Sequence, residues 1–395
     1  MSKWIPAWSY VPIDYGTDVA VLEDVSQRCL IRNNLAGEGL RVRFNNRGGL
    51  TPLCIEHAAV ALVNRVTGRV SPRRALTMDG EARIVIAPDS RPWSDPVALP
   101  VTAEDDLLLW CYFGARSAAR SVCVTYTARS WQATQLKGNF FETDRLGATF
   151  KSELSPILHA DPYHNEFAAG VCAVSVLTAD ESRLIGVFGD SITQMSYFSD
   201  ALLDRLYSAC PGRVALINGG ICGNRVHRCP PVLPERPGGG RQFGPAGRER
   251  FFADLCDAAV PDAVFLLEGV NDCSQSLFFG EATVPTAGEI VGALTDIGAQ
   301  ARALGSRIAY GTLMPFAGFG EPWRDGAEAL RLGCNALLRS MAPAETVVDL
   351  DALLRDPDDP HRMRADCHLG DGVHPNWRGG ERMAEAVFAA CFSSL

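Results

Sequence analysis

The stretch "LIGVFGDSITQM" (184–195) decides how this chain is read. An apolar run stops at Gly189, Asp190 and Ser191 follow at once, and a helix-like pattern begins. Ser and Asp both favour helix N-caps, so a capping role is the plain explanation of Ser191. A nucleophile displayed at a strand-to-helix turn is the sharper one. The choice depends on what the rest of the chain brings to the same edge.

From about residue 183 onward, apolar runs alternate with long helical patterns. "RLIGVFG" precedes a helix over 194–209, "RVALING" one over 246–259, and "DAVFLLEG" one over 286–304. "RIAYGTLMP" precedes a helix over 326–341 and "TVVDL" one over 378–392. Five strand–helix units with near-continuous apolar strands predict a doubly wound, five-stranded parallel sheet covered on both faces. The chain before about 180 has a different texture. Short runs such as "LRVRFNN" (40–46), "EARIVIA" (81–87), "DLLLWCYF" (106–113) and "SVCVTYT" (121–127) are separated by Gly-, Pro-, Asn- and Asp-rich turns. That pattern predicts an all-β sandwich or jelly roll. The expected division is therefore a β-sandwich over 1–178 and an α/β domain over 179–395.

Bulk properties exclude several classes. The 395 residues are 47% hydrophobic and 21% charged, with net charge −9, an ordinary globular composition. A nucleic-acid partner would call for a basic stripe, and none is present. No run approaches the roughly 18 apolar residues of a membrane span. The N-terminal "MSKWIPAWSYVPIDYG" lacks a secretory pattern, so a cytoplasmic location is expected. Thirteen cysteines without a C-x-x-C read as reduced, mostly buried thiols. "CGNRVHRC" (222–229) and "HRMRADCH" (361–368) do not offer four ligands at zinc-site spacing, so no metal is expected.

In an open α/β sheet, residues just beyond the strands share one rim. Here that rim would gather Gly189-Asp190-Ser191, "NGGICGNR" (218–225), "EGVNDC" (268–273) and "DGVHPN" (371–376). Ser191 can be a nucleophile, His374 its base, and Asp371 the group that orients the imidazole. Gly223 permits close approach of a backbone N–H to a substrate oxygen. With the Ser191 N–H and the Asn271 amide, it would form an oxyanion hole. Each residue also has a plainer role: caps for Ser191, Asn271 and Asp272, a tight turn for Gly223, a surface histidine for His374. Their complementarity on one rim favours chemistry. Asp190, Asn224 and Arg225 are candidates for substrate contact, and Arg225 and Arg241 for anchoring an anionic group. The Gly/Pro-dense "CPPVLPERPGGGRQFGPAG" (229–247) is expected to border the pocket. Trp4, Trp8, Trp93 and Trp110 could form a sugar platform, although packing is the commoner fate of such rings.

The motifs "GDSIT", "NGGICGN", "GVND" and "DGVHP" resemble the successive blocks of the SGNH, or GDSL, hydrolases. "FGPAGRERFFADLCDAAVPDAVFLLEGVND" (243–272) and "VVDLDALLRDPDDPHRMRADCHLGDGVHPNWRGGERMAEAV" (347–387) are similar to the bacterial branch carrying an N-terminal β-sandwich. "WIPAWS" and "LRVRFNNRGGLTPLCIEHAAVAL" resemble that branch's first domain. The resemblance implies a flavodoxin-like SGNH fold and an esterase that needs no cofactor. It further implies Ser191, Asp371 and His374 as a triad, with Ser191, Gly223 and Asn271 as oxyanion donors. The implied substrate is a short-chain, acetyl-type ester of a carbohydrate or other small alcohol. Acyl transfer, thioester hydrolysis and non-catalytic glycan binding are the alternatives. Gln194 and Cys222 depart from the family pattern, which commonly has an acidic residue or Gly at the first position and Ser at the second.

Overall fold

The computed structural model describes residues 2–142, 154–155, 158, 166–320, 323 and 325–393. The chain divides into two compact units. One comprises Met1–Arg183, Pro211–Ile217 and Val232–Gln242; the other comprises Leu184–Cys210, Asn218–Pro231 and Phe243–Leu395.

The first unit is an antiparallel β domain. A four-stranded sheet runs in the order Ser2–Ser9, Val171–Ala179, Gly37–Phe44, Val97–Val101. A five-stranded sheet runs Trp131–Lys137, Val25–Ile31, Asp105–Phe113, His57–Asn64, Arg74–Ala75. Strand alternation explains which side chains are hidden: Leu40, Val42 and Phe44 are buried, while Arg41 and Arg43 between them are half-exposed. The tryptophans separate into two groups. Trp8 and Trp110 are 2% and 1% exposed and belong to the interior. Trp8 packs edge-on against Trp131, with ring centroids 5.4 Å apart. Trp4 and Trp93 are only half-buried. Arg241 also falls in this unit, where its guanidinium pairs with Asp14.

The second fold element is the parallel sheet, ordered Val214–Gly220, Arg183–Gly189, Ala263–Leu267, Arg307–Gly311, Thr346–Val348. Its strands are buried almost throughout, as expected of a sheet covered on both faces. Phe188 meets Phe251 edge-on at 5.3 Å, and Phe198 leans on Phe265 at 5.5 Å. Burying each such ring contributes roughly 1.5–3 kcal/mol. The helices Tyr197–Ala209, Ala287–Ala303, Asp325–Ser340 and Trp377–Cys391 follow the sequence periodicity. Ala287–Ala303 starts at a reciprocal capping box between Thr286 and Glu289. The expected helix over 246–259 is shorter: regular turns cover only Gly247–Phe251, then widen into π geometry over Phe252–Cys256. An additional helix, Val270–Phe278, starts directly at the third rim segment.

Among the described residues, no helix is long and apolar enough to cross a membrane. All thirteen cysteines are free thiols, and Cys229 is exposed.

Gly220 shows how tightly the rim is built. A Cβ placed there would lie 2.3 Å from the backbone nitrogen of Gln194. Gly220→Ala is therefore expected to cost roughly 1–3 kcal/mol through overpacking. A thermal melt should show Tm several degrees below that of the parent protein. An unchanged Tm would mean that the turn after Ser191 yields freely.

Candidate active site

The strand Arg183–Gly189 passes directly into a four-residue helical turn, Ser191–Gln194. Asp190 is the N-cap of that turn. Its side chain accepts the Ile192 N–H at 3.0 Å, and its carbonyl accepts the N–H groups of Thr193 and Gln194 at 3.2 and 3.0 Å. Capping is thus carried out by Asp190, so the Ser191 hydroxyl is not needed for it.

That hydroxyl meets His374 instead, with Oγ 2.9 Å from Nε2. On the far side of the ring, Nδ1 lies 2.7 Å from Asp371 Oδ2. The other Asp371 oxygen accepts the backbone N–H groups of Val373 and His374, each at 3.0 Å. Burial acts to raise the Asp371 pKa. The hydrogen bond and charge of His374, helped by the two N–H groups, outweigh burial and hold it well below the usual carboxylate range. An ionised Asp371 takes the Nδ1 proton as a hydrogen bond, which turns the Nε2 lone pair toward Ser191.

Regular structure does not carry His374; a folded-back loop does. His368 and Pro375 form an antiparallel bridge, and Leu369 N–H donates to His374 O at 2.9 Å. Inside this loop, His368 Nδ1 accepts the N–H groups of Gly370 and Gly372, both at 3.0 Å. Phe319 approaches the His374 ring edge-on, with centroids 5.9 Å apart.

The second rim segment is a turn closed by Asn224 N–H to Ile221 O at 3.1 Å. Gly223 occupies its third position at φ +73°, where a Cβ would also come within 2.2 Å of the Phe243 ring. Gln275 Nε2 donates to Gly223 O at 2.8 Å, and Gln194 Oε1 accepts the Cys222 N–H. The two departures from the family pattern therefore meet each other, tying the turn after Ser191 to the Gly223 turn. Asn271, second residue of the helix Val270–Phe278, donates from Nδ2 to Asn224 O at 3.0 Å. That bond fixes the amide and leaves its second N–H for another acceptor.

Under this rim lies a buried charged layer. Arg250 is 2% exposed and donates from Nη1 to Gly219 O, from Nη2 to Gly189 O, both at 2.8 Å, and from Nε to Asn224 Oδ1 at 2.7 Å. Its guanidinium also lies 4.1 Å above the Phe188 ring. Four carboxyl groups, those of Asp190, Asp254, Glu268 and Asp272, share the layer, and Asp254 lies 3.6 Å from Arg250. Burial pushes Asp190 up to about 7, Glu268 to about 8 and Asp272 to about 6. Asp272 is held lowest because it accepts the N–H groups of His227 and Val226, at 2.9 and 2.8 Å. Glu268 lies 3.7 Å from Arg250, and among the described residues neither of its oxygens has a hydrogen-bond partner.

The structure gives the three candidate substrate-contact residues different work. Asp190, Asn224 and Arg225 are 1%, 0% and 1% exposed. Asp190 caps the turn; Asn224 donates to Phe243 O and Pro245 O while accepting from Arg250; Arg225 pairs with Glu281 at 2.8 Å. Engaged from within the protein, they position the rim. Sequence reasoning passed over Arg250, Glu268, Gln275 and His368. "CHLGDGVH" carried a usable signal for the last, a polar side chain among glycines whose N–H groups need acceptors. Arg250 sits in a helical run and gave none.

Residues 187–382 match the family model described as GDSL-like lipase/acylhydrolase. This stretch is a GDSL-like lipase/acylhydrolase domain. No curated protein matches it. Solved structures similar to the GDSL-like domain include a GDSL-like lipase from Bacteroides thetaiotaomicron, 17% identical. That match covers 55% of this chain and 91% of the other, with TM-score 0.41. Another is an acetylxylan esterase from Geobacillus stearothermophilus, 18% identical, covering 54% of this chain and 95% of the other, with TM-score 0.40.

The buried Glu268 of the GDSL-like domain makes stability depend on pH. Its folded pKa, about 8, is raised above an ordinary value of 4.5. Below 4.5 the group is protonated in both states. As pH rises toward 8, the unfolded chain ionises while the folded one resists, so stability is lost across that window. Glu268→Gln should flatten the fall in Tm between pH 5 and 8, with Asp190 and Asp272 keeping a residual slope of the same sign. Parallel Tm–pH curves for the two proteins would overturn the assignment.

Proposed function

We propose that Ser191, His374 and Asp371 hydrolyse a short-chain carboxylic ester through an acyl-enzyme. One observation carries this reading: the unbroken Ser191–His374–Asp371 hydrogen-bond chain of 2.9 and 2.7 Å. Ser191 Oγ attacks the ester carbonyl carbon while His374 Nε2 takes its proton. The developing oxyanion is received by the N–H groups of Ser191 and Gly223 and the Asn271 amide. Collapse breaks the C–O bond, and His374 returns the proton to the leaving alcohol. Water then repeats the sequence on the acyl-serine, freeing the acid.

The acetyl-type substrate rests on the family resemblance and on two half-exposed rings. Phe243 packs on Gly223 and Phe319 borders His374, which supports a narrow acyl side. Acetylated carbohydrate is the favoured substrate class. All five proposed residues lie between 191 and 374, so the hydrolase domain taken as 179–395 supplies the chemistry and the sandwich over 1–178 none.

Ser191→Ala should lower turnover of p-nitrophenyl acetate by at least about 10³-fold, with Tm close to the parent value. Near-native turnover in this variant would end the nucleophile assignment. Asn271→Ala should lower kcat by about 10²–10³-fold with a small change in KM, since an oxyanion donor acts mainly in the transition state. A raised KM at normal kcat would make Asn271 a substrate-binding residue instead. A p-nitrophenyl ester series from acetate to octanoate should show kcat/KM falling with chain length. Preference for the long esters would exclude the narrow acyl side.

A further inference from the structure

The first unit carries an arrangement that packing alone does not explain. On the strand Gly37–Phe44, Arg41 and Arg43 project from the face opposite Leu40, Val42 and Phe44. Trp93 is held beside this strand: Arg43 and Trp93 form an antiparallel bridge, Ser94 N–H donates to Val42 O at 2.7 Å, and Phe44 N–H donates to Pro92 O at 2.8 Å. Trp4 reaches in from the edge strand Ser2–Ser9. The Arg41 guanidinium lies over both indoles, with Cζ 4.7 Å from the Trp4 centroid and 4.1 Å from the Trp93 centroid. Arg43 Cζ lies 5.5 Å from the outer indole, that of Trp93.

Three observations point to a missing acceptor. Among the described residues, no carboxylate forms an ion pair with Arg41, though this chain has more acidic than basic residues. Its Nε is buried without a hydrogen-bond partner. Ser175, the direct cross-strand partner of Arg41, is 0% exposed and its hydroxyl is also unpartnered. Cross-strand partners share a sheet face, so the orphan hydroxyl and the guanidinium lie on the same side. A partly desolvated cation next to a second arginine is costly without a counter-ion.

Geometry restricts what that counter-ion can be. All N–H bonds of a guanidinium lie in its plane, so an acceptor of Arg41 must arrive edge-on, beside the two indoles that its Cζ approaches. A carboxylate suits this approach because it takes two parallel N–H bonds from the guanidinium fork. The half-exposed indoles beside it offer apolar surface to the C–H groups of a ring that bears the carboxylate. We propose that the Trp4–Arg41–Trp93 slot binds an acidic sugar, a hexuronate residue, through its carboxylate. The inference is independent of the ester-hydrolysis mechanism.

Isothermal titration of the full chain at low salt tests it with three probes: glucuronate, glucose (the ring without the carboxylate) and acetate (the carboxylate without the ring). Glucuronate should bind, with glucose and acetate each at least about 10-fold weaker, the discrimination one bidentate pair or one stacked ring can give. Arg41→Gln should weaken glucuronate at least about 10-fold while leaving p-nitrophenyl acetate turnover unchanged. Trp4→Ala, which leaves the charge in place, should bring glucuronate down to the affinity of acetate. Circular dichroism melts establish that each variant is folded; if one is not, the other decides. Absence of glucuronate binding to the parent protein overturns the proposal. So does equal binding of glucuronate and acetate, or undiminished binding by a folded Arg41→Gln or Trp4→Ala variant.

Discussion

The guanidinium of Arg250 is the tie on which the rim depends. From one buried position it holds the carbonyls at the ends of two neighbouring strands, Gly189 and Gly219, and the side chain of Asn224 in the turn beyond. Through Gly189 it fixes where the chain turns to present Ser191. Through Asn224 it fixes the loop bearing Gly223, and the Asn224 carbonyl in turn holds the Asn271 amide. Removing one member of such a buried charged network typically costs 3–5 kcal/mol, because its partners are left unsatisfied. The positions of the serine and of the proposed donors therefore share one cause.

The same tie accounts for the acids under the rim. A buried cation needs negative charge nearby, yet Asp190, Asp254, Glu268 and Asp272 together exceed what Arg250 can balance, since Arg225 is engaged by Glu281. The excess is relieved by protonation, which is why burial raises Glu268, approached by Arg250 only to 3.7 Å, well above its ordinary value. Asp371 is the contrast. It has the His374 ring and two backbone N–H groups for company and stays ionised. Environment alone separates a carboxylate fit to orient an imidazole from carboxyls that serve as neutral filling.

Much of this architecture was legible in the sequence because it rests on periodicity and local chemistry. The five parallel strands appear as apolar runs, and their helices as 3.6-residue patterns from Tyr197 to Cys391. The Ser191, Gly223, Asn271 and His374 segments announce themselves by position, each at the end of a run or before the last helix. Contacts between segments remote in the chain were not legible. Arg225 and Arg250 look alike in sequence, as cations in polar surroundings, but only the fold shows both buried and bonded. Asp190 and Asn224 stand beside rim residues, which suggested substrate contact; Asp190 caps the turn, and Asn224 is shared between two backbone carbonyls and Arg250. The helix Val270–Phe278 was hidden because five of its nine residues are polar, and packing, not an apolar stripe, supports it.

Ser191 and His374 are mounted on unlike supports, and this has a consequence for how the protein fails. The serine belongs to the end of a central strand, among the last parts of a domain to open. The imidazole belongs to an irregular loop whose hydrogen bonds run largely between its own residues, with His368 as its inner brace. Local opening of such a loop requires far less free energy than loss of the sheet. Warming would thus separate the two halves of the hydrogen-bond chain while the strands remain paired, and the enzyme would fall silent as a folded molecule.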